Sequence, residues 1–309
     1  LKEKYMNVDL NSADKRCGFV ALVGAPNAGK STLLNSLVGS KIAIVTHKVQ
    51  TTRSRLIGVA IHGDNQMVFV DTPGIFAPKK RLERAMVAAA WEGANDADVV
   101  VFMVDATLRI DESTRTIAEG LNKSSKKTIL VLNKIDLVKR DTLLSKTKEL
   151  NELGEFNETL MISAKTGNGL DDLQDRIAEF LPISPWLYPE DHLTDITERM
   201  LASEITREKF FMRFHEELPY AATIETERWK ELKDGSVRIE QIIYVERDSQ
   251  KKIVIGKGGQ GLKVIGKMAR EELEELLDRK VHLFLFVKVR KGWSDDKERY
   301  RNMGLDWIK

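Results

Sequence analysis

Gly24-Ala25-Pro26-Asn27-Ala28-Gly29-Lys30-Ser31 sets two glycines, a lysine and a hydroxyl at the spacing that wraps a phosphate chain. Successive backbone N–H groups of such a loop point inward and form a concave site for phosphate oxygens. The helix that follows adds its positive N-terminal end. Glycines at 24 and 29 let the backbone approach the phosphates with no side chain in the way. Lys30 supplies a point charge to the outer phosphates, and the Ser31 hydroxyl suits Mg²⁺, which prefers oxygen ligands and takes few from protein. The apolar run Phe19–Val23 before the loop and the helix-like run Thr32–Val38 after it supply the strand–loop–helix context. Gly39 is placed to cap that helix.

Three further short motifs follow in order. Asp71-Thr72-Pro73-Gly74 closes the apolar run Met67–Val70, so Asp71 can hold Mg²⁺ through water and Gly74 can offer its N–H to a γ-phosphate. Asn133-Lys134-Ile135-Asp136 closes the run Thr128–Leu132. Guanine presents an N1–H and an exocyclic amine on one edge, and the Asp136 carboxylate can accept from both. Adenine offers a bare acceptor there, and a site left with an unmatched polar group discriminates by roughly 10⁴-fold. Asn133 can bond the other edge of the base, and the stem of Lys134 can lie over the ring. Ser163-Ala164-Lys165 follows the strand-like Thr159–Ile162, and the Ala164 N–H is a candidate donor to the guanine carbonyl. Between the first two motifs lies the polar segment Lys41–Arg55, which contains Gln50-Thr51-Thr52-Arg53. A threonine here can ligate Mg²⁺ and sense the γ-phosphate, ordering the segment only in the triphosphate state. Thr52 is the first choice and Thr51 the second.

The second half of the chain carries a different loop. Ser249–Arg270 holds six basic residues (Lys251, Lys252, Lys257, Lys263, Lys267 and Arg270) and no acidic one. Within it, Gly256-Lys257-Gly258-Gly259 is a GxxG loop between helical segments. Glycines allow close approach to a ribose-phosphate chain, Lys257 adds charge, and Ile255, Leu262 and Ile265 offer an apolar floor for unpaired bases. Single-stranded RNA is bound in this way, about four nucleotides to a clamp. The expected partner is RNA and not DNA.

The elements that must position these groups can be read from pattern. Strand-like runs recur at Phe19–Val23, Met67–Val70, Val99–Val104, Ile129–Leu132 and Thr159–Ile162, with helical patterns between most of them. This is an α/β reading with a mostly parallel sheet. Arg55–Ile61 and Gln66–Val70 flank Gly63-Asp64-Asn65 and predict a hairpin with an antiparallel edge strand. Leu181–Pro189 holds three prolines and reads as the start of an interdomain linker, 182–195. Beyond it, a helix over Ile196–Glu217, strands over Thr223–Leu232 and Val237–Val245, two short helices around a Gly-rich loop over Lys257–Leu277 and a strand at His282–Val289 give a smaller α+β domain. The expected division is a polar tail 1–15, a nucleotide domain 16–181, the linker, and an RNA-binding domain 196–309. The chain has 309 residues, a formal net charge of +2 and a single cysteine, Cys17. No intramolecular disulfide can form and no Cys/His cluster has zinc spacing, which points to a reducing, cytoplasmic setting. No apolar run reaches the roughly 20 residues a membrane span needs, and the polar start lacks a signal-peptide core. A monomer is expected.

These motifs, together with Ser203–Lys209, Glu217–Tyr220 and Val245–Gly259, resemble the Era family of bacterial ribosome-assembly GTPases, which join a P-loop GTPase domain to a C-terminal type II KH domain. The resemblance runs from about Gly18 to Trp293. It implies binding to the 3′ end of small-subunit (16S) ribosomal RNA, work on the 30S subunit, and a cytoplasmic protein with peripheral contact to the inner membrane face. Ile75 stands where Ras-like proteins carry a water-orienting glutamine, and it can neither donate nor accept a hydrogen bond. Lys30, Thr52, Gly74 and Asn27 are therefore the catalytic candidates. In related GTPases an asparagine like Asn27, paired with a TTR switch, binds K⁺ beside the phosphates, so slow turnover of GTP to GDP is expected to quicken in K⁺. The competing expectation is a membrane-associated signalling GTPase whose second domain binds protein or lipid.

Overall fold

The structure is a computed structural model that describes residues 15–308. The expected tail, 1–15, lies outside the described residues except for Lys15. The chain divides into two compact units, each taken by itself. The first runs to Ile42 and adds Thr52–Asp195 and the segment from Met303 onward. The second comprises Ala43–Thr51 and Ile196–Asn302.

In the first unit a six-stranded sheet has the order β2-β3-β1-β4-β5-β6. Its strands are β1 (Cys17–Gly24), β2 (Leu56–His62), β3 (Asn65–Asp71), β4 (Val99–Asp105), β5 (Lys127–Asn133) and β6 (Glu158–Met161). All pairings are parallel except β2 with β3. The expected hairpin is present, with His62 opposite Asn65 and Gly63 at φ 57° in the turn. Helices α1 (Lys30–Val38), α2 (Arg81–Asp96), α3 (Glu112–Asn122), α4 (Arg140–Asn151) and α5 (Leu170–Phe180) complete the unit. Every residue of β4 is buried, which is why its sequence is an unbroken apolar run and not an alternating one. Gly39 closes α1 in the left-handed region, its N–H donating to Asn35 O at 3.0 Å. The strands run so that the phosphate loop and the segments beginning at Asp71, Asn133 and Ser163 all leave the same edge of the sheet, the C-terminal ends where ligands of open α/β sheets bind.

The proline-rich stretch differs from the expected linker, because residues 182–195 belong to the first unit. The N–H of Val59 donates to Leu193 O (2.8 Å), and the Thr194 hydroxyl donates to Ile57 O (2.6 Å). Buried Gln66 accepts from the N–H of Leu187 and of Tyr188, and donates to Tyr188 O. The physical reason is the edge: β2 exposes unpaired backbone groups, and covering them satisfies the groups and blocks pairing with other chains.

The second unit follows the expected α-β-β-α-α-β order. Helix α6 (Glu198–Arg213) is followed by β7 (Ala222–Glu231) and β8 (Val237–Val245), antiparallel around Asp234-Gly235. Next come α7 (Asp248–Ile255), α8 (Gln260–Leu277) and β9 (Val281–Val289), which pairs parallel with β8. The two helices expected around the glycine loop are present, but the first, α7, lies before residue 257, and the second, α8, is not short: it runs for 18 residues. The start of α7 is set by Gln250, whose side chain accepts from the N–H of Glu246 and of Arg247. A last helix, α9 (Lys297–Asn302), was not expected from sequence. Phe210, Phe211, Ile224, Ile243, Val245, Val254 and Ile265 form the core between sheet and helices.

Candidate functional site

The phosphate loop turns from β1 into α1 through Gly29, whose φ of 100° favours glycine. A Cβ there would lie 2.2 Å from Asn133 Nδ2, so no larger residue fits. Lys30 is buried, and its ammonium donates to Gly24 O and Ala25 O, both at 3.0 Å. Ala28 is buried, Ala25 and Pro26 are half-buried, and Asn27 is exposed with φ 65°. A Cβ on Gly74 would come within 2.8 Å of Pro26 N, so the loop and the Asp71–Gly74 segment lie back to back.

Three oxygen-bearing side chains converge beside Lys30. Ser31 Oγ lies 2.8 Å from Asp71 Oδ2 and 3.0 Å from Thr52 Oγ1, and Thr52 Oγ1 lies 3.1 Å from Asp71 Oδ2. Asp71 Oδ1 is buried with no hydrogen-bond partner among the described residues. An orphaned carboxylate oxygen beside two hydroxyls is an all-oxygen donor set that fits Mg²⁺. Of the two candidate threonines, Thr52 joins this cluster. Thr51 does not; its hydroxyl is bonded to Thr46 Oγ1 and Lys48 O, each at 2.6 Å. Thr72 is also turned away, donating to Leu22 O at 2.8 Å, and Pro73 is buried beside it. Ile75 is buried in the hydrophobic core of the sheet, so it is a packing residue with no access to a water.

Burial raises the Asp71 carboxyl above its ordinary range, although Lys30, Ser31 and Thr52 each pull it down. Burial likewise lowers the Lys30 ammonium to about 8, against the opposing pull of Asp71. If Lys30 is the cation that meets the phosphates, the competent form of the free protein is lost as pH rises through that value. Between pH 7 and 9, affinity for a guanosine triphosphate should fall about tenfold, and Lys30→Ala should flatten the profile. A dissociation constant unchanged across that interval would contradict the role given to Lys30.

At the base end, Asp136 is exposed in a short 3₁₀ turn after β5, entered through Lys134 at φ 68°. Lys134 Nζ is held by Asp105 Oδ2 at 2.5 Å, an acid that sequence reading did not single out. Burial acts to raise the Asp105 carboxyl, but its bonds to Lys134 and Thr107 outweigh that and hold it low. Asn133 has a role beyond the one read from sequence. Its Nδ2 donates to Ala28 O (2.8 Å), and its Oδ1 accepts from the Ala164 N–H (2.9 Å). The amide therefore bridges the phosphate loop to the Ser163–Lys165 segment, and the N–H expected to donate to the base carbonyl already donates to Asn133. Ser163 is buried, its Oγ accepting from the Thr166 N–H, while Lys165 is exposed.

In the second unit, Gly256, Gly258 and Gly259 all have positive φ (69°, 59° and 77°) between α7 and α8. Lys252, Lys257, Lys263 and Lys267 are exposed, and Lys251 is half-buried. The expected apolar floor needs correction. Ile265 is wholly buried in the core, and Ile255 and Leu262 pack against that core as partly buried residues. The exposed apolar side chains of these helices are Ile253, Val264 and Met268. The face of α8 that carries Ile265 also carries buried Gly261, Ala269 and Leu273, at the three-to-four spacing that marks an inward stripe.

Comparison with known proteins gives the same architecture over most of the chain. A sequence profile described as a 50S ribosome-binding GTPase matches residues 19–134, and one described as a KH domain matches residues 217–294. The chain is 58% identical over 294 residues to the GTPase Era of Rhizobium meliloti (strain 1021), covering 95% of this chain and 94% of that one. It is 57% identical over 299 residues to the GTPase Era of Brucella suis biovar 1 (strain 1330), covering 97% and 96%. Among solved structures, an Aquifex aeolicus Era variant bound to GDP·AlF4⁻ matches with a TM-score of 0.89 and 41% identity, covering 94% of this chain and 99% of that one. A structure of Era in complex with MgGDPNP and nucleotides 1506–1542 of 16S ribosomal RNA matches with the same score, identity and coverage.

Proposed function

The chain belongs to the Era family of GTPases, and from that premise we propose that it couples its nucleotide state to binding of the 3′ end of small-subunit ribosomal RNA, assisting maturation of that subunit. The observation that carries this reading is the 41% identity, across 94% of the chain, to an Era structure that holds MgGDPNP and a 16S fragment together. The glycine loop between α7 and α8, rimmed by exposed lysines, supports it with a surface of the right chemistry.

The protein hydrolyses GTP to GDP and phosphate. In the proposed arrangement the loop amides and Lys30 hold the phosphates, Gly74 donates its N–H to the γ-phosphate, and Asp136 accepts from guanine while Lys134 lies over the ring. Mg²⁺, held by Ser31, Thr52 and through water by Asp71, would neutralise charge on the β- and γ-phosphate oxygens. With Ile75 buried in the core, no side chain at that position orients the attacking water. Asn27, exposed on the loop, is assigned a K⁺ contact beside the phosphates. Hydrolysis should then run faster in K⁺ than in Na⁺, and equal rates in both salts would remove the assignment.

The same reading places the protein in the cytoplasm on the assembling 30S subunit, with peripheral contact to the inner membrane face. Among the described residues no helix is long and apolar enough to cross a membrane. Filter binding with a short single-stranded RNA of the 16S 3′ end tests the proposal. Retention that depends on the fragment supports it; no retention beyond that of a scrambled RNA, with GTP hydrolysis intact, refutes it.

A further inference from the structure

Helix α6 buries three consecutive charged residues, Arg207, Glu208 and Lys209, at 3%, 1% and 7% exposure. Such residues are almost never buried unless paired, and their partners reveal a purpose. Lys209 pairs with Glu208 (2.8 Å) and with Glu272 of α8. The other Glu208 oxygen accepts from the N–H of Val45 at 2.8 Å. Arg207 is oriented by Glu204 and donates to Gln50 O (3.3 Å) and Thr51 O (2.5 Å). In return, Lys48 donates to the carbonyls of Phe211 and Phe214 at the C-terminal end of α6. Ile44 is buried among Ala202, Ile205 and Leu273.

Segment 43–51 is thus built into the second unit by hydrogen bonds and burial along one helix. The next peptide bond leads to Thr52, whose hydroxyl sits with Ser31 and Asp71. We infer that Arg207 is a positioning residue for the GTPase site: by fixing the carbonyls of Gln50 and Thr51 it sets the backbone from which Thr52 is presented. Ordering of segment 43–51 then depends on its bonds to α6, and the nucleotide state is felt in the second unit through this guanidinium. The inference rests on the reading of Thr52 as the residue that senses the γ-phosphate through Mg²⁺.

The test compares affinities of the full chain for Mg²⁺·GDPNP and for GDP by fluorescence titration. Arg207→Ala should weaken GDPNP binding about tenfold, the loss of a charge-assisted hydrogen bond, and leave GDP binding unchanged. Arg207→Lys should recover only part, because an ammonium does not reproduce the fork that reaches two carbonyls. A purely structural role would weaken both nucleotides alike. Thr52→Ala separates the layers. If it collapses the GDPNP preference and Arg207→Ala does not, the inference is overturned. If Thr52→Ala itself leaves the preference intact, the reading of Thr52 fails, and the inference with it. Lys48→Met cuts the other tie without altering α6 and should show the same selective loss; it decides the matter if Arg207→Ala does not fold.

Discussion

Asp136→Asn should lose GTP by about a thousandfold or more and gain affinity for xanthosine triphosphate. In the proposed arrangement the carboxylate accepts from two donors on one purine edge. An asparagine amide keeps one acceptor and turns the other position into a donor, which then faces the guanine amine. Xanthine carries a carbonyl where guanine carries that amine, so the new donor finds an acceptor. The fold should be indifferent, because Asp136 is exposed in its turn. Titration calorimetry with GTP, XTP and ATP decides the matter. Retention of GTP by the variant, or equal affinity of the native protein for ATP, would remove Asp136 as the specificity determinant.

Gly258→Asp should abolish most RNA binding, by about thirtyfold or more at physiological salt, while leaving GTP hydrolysis in the absence of RNA unchanged. Gly258 has a φ of 59°, a region that aspartate tolerates better than most residues, and a Cβ there meets nothing within 4 Å. The variant therefore folds at a cost of about 1–2 kcal/mol and places an anion where phosphates would lie. Affinity and salt dependence should fall together, since fewer counterions are released when the backbone contact is lost. Gly261 would be a poor choice for this experiment, because a Cβ there would stand 2.2 Å from Val254 O and disturb the helix junction itself. Undiminished RNA affinity in Gly258→Asp would refute the glycine-loop assignment.

The parts of this molecule legible in sequence are those whose signals are local. The phosphate loop, the hairpin at Gly63 and the order of the second unit each follow from spacing within a few tens of residues. What escaped reading depends on partners far away. Arg207 lies 157 positions from Gln50, whose carbonyl it holds, and nothing near either residue announces the pairing. The proline-rich stretch has the composition of a linker; the role of its end as cover for β2 is set by a sheet edge far away in sequence, Thr194 lying 137 positions from Ile57. An apolar residue beside a basic loop reads as a floor for bases, but the helical stripe that carries Ile265 faces the core. Asn133 was read for its chemistry toward a ligand, and the structure shows that the same amide also serves two loops of its own chain.

That last feature fixes a length. One side chain, pinned at both ends to main-chain groups, holds the triphosphate cradle and the purine clasp at a set separation, like the jaws of a locked caliper. A nucleotide spanning both segments would meet a frame already gauged to its length, so that the rearrangement it drives is left to the switch segment and not to the two ends that clasp it.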